Sequence, residues 1–183
     1  MAFRNKTIAS PATGNQVVFI NTGNDTNGQL LEMEATYEPY SKEPAVHYHP
    51  HQVEDFAVIA GQLTVRLDQE LLVLTEGDTL HIPKNTIHSM WNNSDCKTIV
   101  NWKVQPALDT EYFLETIYGL ANDVKTSAEG KPNLFQIALL ANRFHPVFRL
   151  AKPPFIIQRV IFLILTPLAY LFGYRSVYKK YLD

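Results

Sequence analysis

The chain has 183 residues, 46% of them hydrophobic, and a formal net charge of −2. This length allows one domain with a substantial core, or a domain of about 100–150 residues with an appendage. The charge gives no reason to expect a nucleic-acid partner. The single cysteine, Cys96, cannot form an internal disulfide, and no apolar run precedes Pro11. We therefore expect a cytoplasmic protein.

Charge is unevenly distributed along the chain. Residues 1–141 carry 9 basic and 17 acidic side chains, a net charge of −8. Residues 142–183 carry 7 basic side chains and 1 acidic side chain, a net charge of +6. The last quarter of the chain is therefore a different kind of segment from the rest.

The region from Gln16 to Val104 has the pattern of a β-protein. Its short β-prone runs are separated by turn residues, and several of them alternate between apolar and polar positions. About nine short strands at this spacing predict a sandwich or a barrel. The predicted strands are Gln16–Asn21, Leu30–Tyr37, Ala45–His49, Val53–Ala60, Gln62–Asp68, Leu71–Leu74, Thr79–Ile82, Thr86–Asn92 and Thr98–Val104.

After Pro106 the pattern changes to that of helices. Asp109 or Thr110 is placed to cap a first helix, and Pro132 suits the first turn of a second. A third helix is predicted from about Pro154 past residue 172, with a bend at Thr166-Pro167. We divide the chain into a barrel over residues 1–106 and a helical, basic and hydrophobic extension over residues 107–183.

Four side chains in two segments form a candidate metal site. His47 and His49 are two apart on a predicted strand and so point to one face. A turn at Pro50 lets Glu54 open the next strand pointing inward, and His88 begins the inward face of a third. Three imidazoles and a carboxylate are a ligand set for one divalent first-row metal ion. We predict that these four residues bind such an ion and leave positions for water or substrate.

The same residues fall into two motifs with a family resemblance. The spacing His-x-His-x4-Glu-x6-Gly resembles the first motif of the cupin superfamily, and Gly-x5-Pro-x-Asn-x2-His-x3-Asn resembles the second. The first motif comprises His47, His49, Glu54 and Gly61, and the second comprises Gly77, Pro83, Asn85, His88 and Asn92.

The region between the motifs, 15 residues from Gly61 to Gly77, is as short as in small bacterial single-domain cupins. The resemblance implies a mainly β fold, a double-stranded β-helix or jelly-roll barrel holding one Zn, Fe, Mn or Ni ion. Ser41 and Asn85 stand where the family usually has glycine. Asn tolerates a left-handed backbone, so we expect the turn at Asn85 to be preserved.

Three functions are compatible with this site. The first is an enzyme that uses the metal with dioxygen, with Glu54 as a ligand or a catalytic base. The second is a zinc-dependent isomerase similar to sugar or sugar-phosphate isomerases of the cupin group. The third is a non-catalytic protein that binds a small ligand over the metal. The candidate substrate pocket, which favours a hydrophobic or aromatic molecule, is lined by Phe56, Val58, Met90, Trp102 and His51.

The segment from Phe155 to Gly173 is strongly apolar. Its uninterrupted part, residues 160–172, is 13 residues long, whereas a membrane span needs about 20. One interpretation is a helix packed on the barrel or on a second subunit, which would make a homodimer. Another is a helix lying on an anionic bilayer surface, helped by the basic cluster Arg175, Lys179 and Lys180.

Overall fold

The structure is a computed structural model that describes residues 1–182. Within this range the chain forms eleven strands in two antiparallel sheets. One sheet has the order β1-β2-β3-β10-β5-β8 and the other the order β11-β4-β9-β6-β7. The strands are β1 (Thr7–Ala9), β2 (Gln16–Asn21), β3 (Leu31–Tyr37), β4 (His47–Tyr48), β5 (Val53–Ala60), β6 (Gln62–Leu67), β7 (Glu70–Thr75), β8 (Thr79–Ile82), β9 (His88–Trp91), β10 (Thr98–Gln105) and β11 (Arg149–Leu150).

The core of the barrel is built from alternate residues of the strands. Along β3, Leu31, Met33 and Ala35 are buried while their neighbours are partly exposed. Phe19 and Phe56 are among the largest fully buried side chains. Burying each such side chain stabilises the fold by roughly 1.5–3 kcal/mol. The predicted mainly β jelly-roll fold, followed by helices, is confirmed.

Three helices follow the barrel, α1 (Thr110–Asn122), α2 (Leu134–Arg143) and α3 (Phe155–Leu171), with a short 3-10 helix at Lys179–Tyr181. Helix α2 begins after Asn133, because the side chain of Asn133 accepts a hydrogen bond from the backbone N–H of Gln136 at 3.1 Å. Pro167 lies inside α3. No helix among residues 1–182 combines the length and the apolar character that crossing a bilayer requires.

Two strands lie where none was predicted, and two predicted strands are shorter. One of these, Thr86–Asn92, is reduced to the four residues of β9. β1 precedes the predicted region, and β11 lies in the extension. The predicted strand Ala45–His49 is reduced to the two residues of β4. Its short length follows from its flanks, since Pro44 and Pro50 cannot donate backbone hydrogen bonds to a neighbouring strand.

The extension packs back onto the barrel. β11 pairs with β4, so that Arg149 lies opposite Tyr48 and Leu150 opposite His47. Leu114 of α1 belongs to the same hydrophobic cluster as the barrel core. The boundary at residue 106 stays a prediction. The observed packing shows that the residues after it complete a sheet of the barrel.

Candidate metal centre

Three histidines from neighbouring strands converge in the barrel. His47 lies in β4 directly opposite His88 of β9, and His49 follows β4 by one residue. One ring nitrogen from each lies within 4.8 Å of the other two, an arrangement that could hold a metal ion. His49 and His88 are buried, whereas His47 is partly exposed. The two sequence segments predicted to meet therefore do meet.

Each of these imidazoles is oriented by a backbone carbonyl. A neutral imidazole has one N–H group, and we assign it to Nδ1 in all three rings because Nδ1 faces a carbonyl oxygen. The Nε2 atoms then keep their lone pairs, as metal ligands require. The distances are 2.9 Å from His47 Nδ1 to Ala45 O, 2.7 Å from His49 Nδ1 to Val147 O and 2.9 Å from His88 Nδ1 to Thr86 O.

Glu54, the second residue of β5, lies against two of the rings. Its Oε2 atom is 2.9 Å from His88 Nε2 and 3.3 Å from His49 Nε2. Its Oε1 atom accepts a hydrogen bond of 2.9 Å from the indole Nε1 of Trp102. The carboxylate is therefore held on one side and faces the histidines on the other.

The electrostatics of this group keep the carboxylate charged. Burial opposes the ionisation of Glu54, which is 1% exposed, but the adjacent His49 and His88 outweigh that effect and lower its pKa to about 2. Desolvation, followed by the repulsion that protonated His49 and His88 would exert, lowers the pKa of His47 to about 3. Burial lowers the pKa of His88, but contact with Glu54 outweighs it and leaves the pKa raised. At neutral pH the site therefore presents an anionic oxygen beside a neutral His47.

The candidate metal-ligating atoms that face the centre form no aligned hydrogen bond. Within residues 1–182, His49 Nε2, His88 Nε2 and Glu54 Oε2 are buried and form no aligned hydrogen bond. An unpaired buried polar atom costs about 1–3 kcal/mol. Two imidazole Nε2 atoms that each lie within 3.3 Å of one carboxylate oxygen are a ligand set that suits a divalent cation. The residues present thus fit the metal ion that the sequence predicted.

The residues predicted to line a substrate pocket have different environments. Phe56, Val58 and Met90 are buried in the hydrophobic core of the barrel. Trp102 is partly buried, stacks on Phe56 with 5.8 Å between ring centroids, and contacts Glu54. His51 is exposed. Of these five, Trp102 has the direct contact with the centre, and the pocket role of the group stays a prediction.

The extension supplies contacts to the site that the sequence did not indicate. Val147 provides the carbonyl oxygen for His49, which is 98 positions away. The ring of Phe148 lies 6.4 Å from that of His47, centroid to centroid, and 4.4 Å from that of Phe113. Every residue has a backbone carbonyl group, so the identity of Val147 does not indicate the contact. Phe148 is one of many aromatic residues in the sequence. No local pattern could have identified these contacts.

The two departures from the cupin motifs are accommodated. Asn85 adopts a left-handed backbone with φ of 65°, as predicted, and its N–H donates to the carbonyl oxygen of His49 at 2.9 Å. The hydroxyl of Ser41 accepts a hydrogen bond of 2.9 Å from the backbone N–H of Asn92. Asn85 therefore preserves a turn next to the site, and Ser41 forms a hydrogen bond to the last residue of the second motif.

Comparison with known proteins agrees with the fold and the motifs. The family model described as "Cupin domain" matches residues 33–102, which include His47, His49, Glu54 and His88. Residues 33–102 therefore match a cupin domain, and together with the two-sheet barrel this match confirms the predicted resemblance to the cupin superfamily.

Individual relatives are more distant. The chain is 35% identical over 65 residues to quercetin 2,3-dioxygenase from Bacillus subtilis. This match covers 36% of this chain and 19% of that protein. It is 30% identical over 123 residues to oxidoreductase iacF from Pestalotiopsis fici, covering 62% and 57% of the two proteins. An RmlC-like cupin from Shewanella frigidimarina is 21% identical, with a TM-score of 0.49, and the match covers 61% of this chain and 94% of that chain. The chain thus spans less than two thirds of the length of each of these two curated relatives.

Proposed function

We propose that His47, His49, His88 and Glu54 bind one divalent transition metal ion and that the protein is an oxidoreductase, similar to dioxygenases, acting on a small organic molecule. One observation carries this proposal. The buried Nε2 atoms of two histidines and one carboxylate oxygen converge beside a third histidine, and within residues 1–182 they form no aligned hydrogen bond.

The relatives support the choice of reaction. The Bacillus subtilis relative is named quercetin 2,3-dioxygenase, and the Pestalotiopsis fici relative is named an oxidoreductase. A redox-active ion in this site would allow dioxygen to react with an organic substrate, with both oxygen atoms entering the product and no external reductant consumed.

Glu54 and Trp102 have distinct parts in the proposed reaction. The carboxylate is ionised at neutral pH, so it can ligate the ion or take a proton from a substrate hydroxyl group. The indole N–H of Trp102 donates to Oε1 and leaves Oε2 turned toward the histidines. Trp102 thereby positions the oxygen that would perform either step.

The surroundings favour an apolar or aromatic substrate. His47 is the most accessible of the four residues, so a substrate would reach the centre from its side. The partly buried rings of Phe148 and Phe113 lie on that side and form an apolar wall. A flavonol such as quercetin is therefore the first compound to test.

Metal content tests the site itself. Protein purified without a His tag should contain close to one transition metal ion per chain by elemental analysis. Each of His47→Ala, His49→Ala and His88→Ala should lower that content at least about tenfold, since each removes a ligand. His81→Ala is the matched control, because His81 is exposed and bonded to Asp55 at 2.7 Å, away from the cluster. Unchanged metal content in all three variants would refute the assignment.

Oxygen uptake tests the reaction. Protein loaded with Fe²⁺, Mn²⁺ or Ni²⁺ should consume oxygen in the presence of quercetin, whereas protein loaded with redox-inert Zn²⁺ should not. Absence of uptake with every metal across a panel of flavonols and other aromatic substrates would refute the dioxygenase assignment. Native zinc combined with proton exchange into a sugar would instead establish the isomerase.

A further inference from the structure

Helix α3 presents a wide apolar surface to solvent. Its exposed apolar side chains cover roughly 200° of the helix circumference at 100° per residue, and no charged residue lies within that arc. Contiguous apolar surface of this kind marks an interaction site. The apolar surface of α3, as we call this set, consists of Ile156, Ile157, Val160, Ile161, Leu163, Ile164, Leu168, Tyr170, Leu171 and Phe172.

The opposite side of α3 is already occupied by the protein. Gln158, Phe162 and Ala169 are buried, and the helix packs against α2. The side-chain amide of Gln158 donates to the carbonyl oxygens of Leu150 and Pro153 at 2.7 and 2.6 Å. The helix is therefore fixed to the body of the protein with its apolar side outward.

Basic residues flank α3 in the sequence. The segment from Asn142 to Leu182 contains seven lysines and arginines and no carboxylate side chain. Two of the seven form salt bridges with acidic residues elsewhere, Arg143 with Asp109 and Lys180 with Asp123. Within the described chain, the other five have no salt bridge. They are Arg149, Lys152, Arg159, Arg175 and Lys179.

The charge of this segment decides between two occupants of the surface. Pairing α3 with its copy in a second chain would bring two strongly basic segments together, which costs free energy. An anionic bilayer attracts the same residues, at about 1 kcal/mol for each lysine or arginine near the surface. The acidic region of residues 1–141 would be repelled by the bilayer, and this repulsion turns the basic side toward it.

The aromatic residues at the end of α3 fit the same occupant. Tyr170 and Phe172 are exposed, and Tyr174 stacks on Phe135 with 5.9 Å between ring centroids. Amphipathic aromatic rings favour the headgroup level of a membrane. The helix is 17 residues, or about 25 Å, long, and no helix among residues 1–182 could cross a bilayer. This geometry suits a helix that lies in the interface.

We propose that the apolar surface of α3 docks the protein on the surface of an anionic phospholipid bilayer, with the flanking lysines and arginines at the headgroups. The assignment rests on the surface and its charges alone and is independent of the metal centre. Metal-site variants such as His47→Ala should therefore still bind anionic vesicles.

Sedimentation with lipid vesicles tests the proposal on the full chain. The protein should sediment with vesicles of phosphatidylcholine and phosphatidylglycerol at a three-to-one ratio, much less with phosphatidylcholine alone, and less as salt is added. Ile164→Glu or Leu171→Glu should lower the bound fraction at least about tenfold by placing a carboxylate in the apolar surface. Arg175→Gln should lower the vesicle-binding constant roughly fivefold, the equivalent of one lost headgroup contact.

A matched control distinguishes binding through α3 from a general effect of replacing an exposed apolar residue with glutamate. Leu71 on β7 is 58% exposed, apolar and distant in the chain from α3. Leu71→Glu should leave vesicle binding unchanged, and circular dichroism should show that all variants are folded. Absence of sedimentation, equal sedimentation with both kinds of vesicle, or an equal loss in Leu71→Glu would overturn the proposal. The proposal would also be overturned if the protein bound no vesicles and instead formed a dimer, detected by analytical ultracentrifugation, that Ile164→Glu dissociates.

Discussion

At the scale of single residues, the proposed chemistry depends on which ring nitrogen carries the proton. Three backbone carbonyl oxygens hold the Nδ1 protons of His47, His49 and His88. The Nε2 lone pairs are left to face Glu54 and one another. Glu54 is in turn fixed by a single indole N–H group. Backbone groups move little, so the arrangement is set before any ion or substrate arrives.

Glu54→Gln should separate metal binding from catalysis. The amide is a weaker ligand and cannot accept a proton as a base, so part of the metal should remain while oxygen uptake with quercetin falls at least about a hundredfold. Asp55→Asn is the matched control, since the adjacent carboxyl group bonds to His81 instead. Activity of the Glu54 variant equal to that of the unmodified protein would contradict the role of this carboxylate.

At the scale of elements, the strand pair β5–β6 depends on the turn between its strands. Gly61 lies at that turn with φ of +81°, and an added Cβ would come closer than van der Waals contact to the carbonyl oxygen of Lys97. The pairing register of β5 with β10 sets the position of Glu54 in the barrel. The pairing register of β6 with β9 sets the position of His88. Glycine is therefore required at position 61 because the turn between β5 and β6 leaves no room for a side chain.

Gly61→Ala should destabilise the fold more than Gly77→Ala. Both glycines have positive φ, which costs an L-residue about 1–2 kcal/mol, but a Cβ at Gly77 would meet no atom within 4 Å. We expect a loss of about 3 kcal/mol for Gly61→Ala and about 1 kcal/mol for Gly77→Ala in urea unfolding. Equal losses would show that Gly61 is required for its φ alone.

At the scale of the whole molecule, the extension and the barrel share the metal centre. β11 completes the sheet that contains β4, and Val147 orients His49. Proposed ligands from several strands thus depend on a segment that follows two helices. A bound ion would link these parts, because it binds the folded chain and not the unfolded one.

Removal of the metal should lower the melting temperature. With free metal at about a hundred times the dissociation constant, binding contributes about 2.7 kcal/mol, which corresponds to roughly 5–10 °C for a chain of this size. Differential scanning calorimetry with and without a chelator measures the shift. His49→Ala should show no response to added metal, and a melting temperature unaffected by the chelator in the unmodified protein would contradict metal binding.

Much of the architecture could be predicted because it depends on local patterns. The alternation along Leu63, Val65 and Leu67 indicates a strand with one buried face, and the two histidine motifs predict both the barrel and the residues that meet in it. The three helices were also predictable in outline, from capping residues and prolines near their starts.

Only the tertiary structure determined how distant segments meet. The pairing of β11 with β4 and the bond from His49 to Val147 join positions about 100 residues apart, and a two-residue strand has no periodicity of its own. Helix α3 is apolar on nearly every side, so its sequence could not indicate which face is buried. That choice depends on the shape of α2 and on the path of the chain from the barrel, which exist only once the molecule has folded.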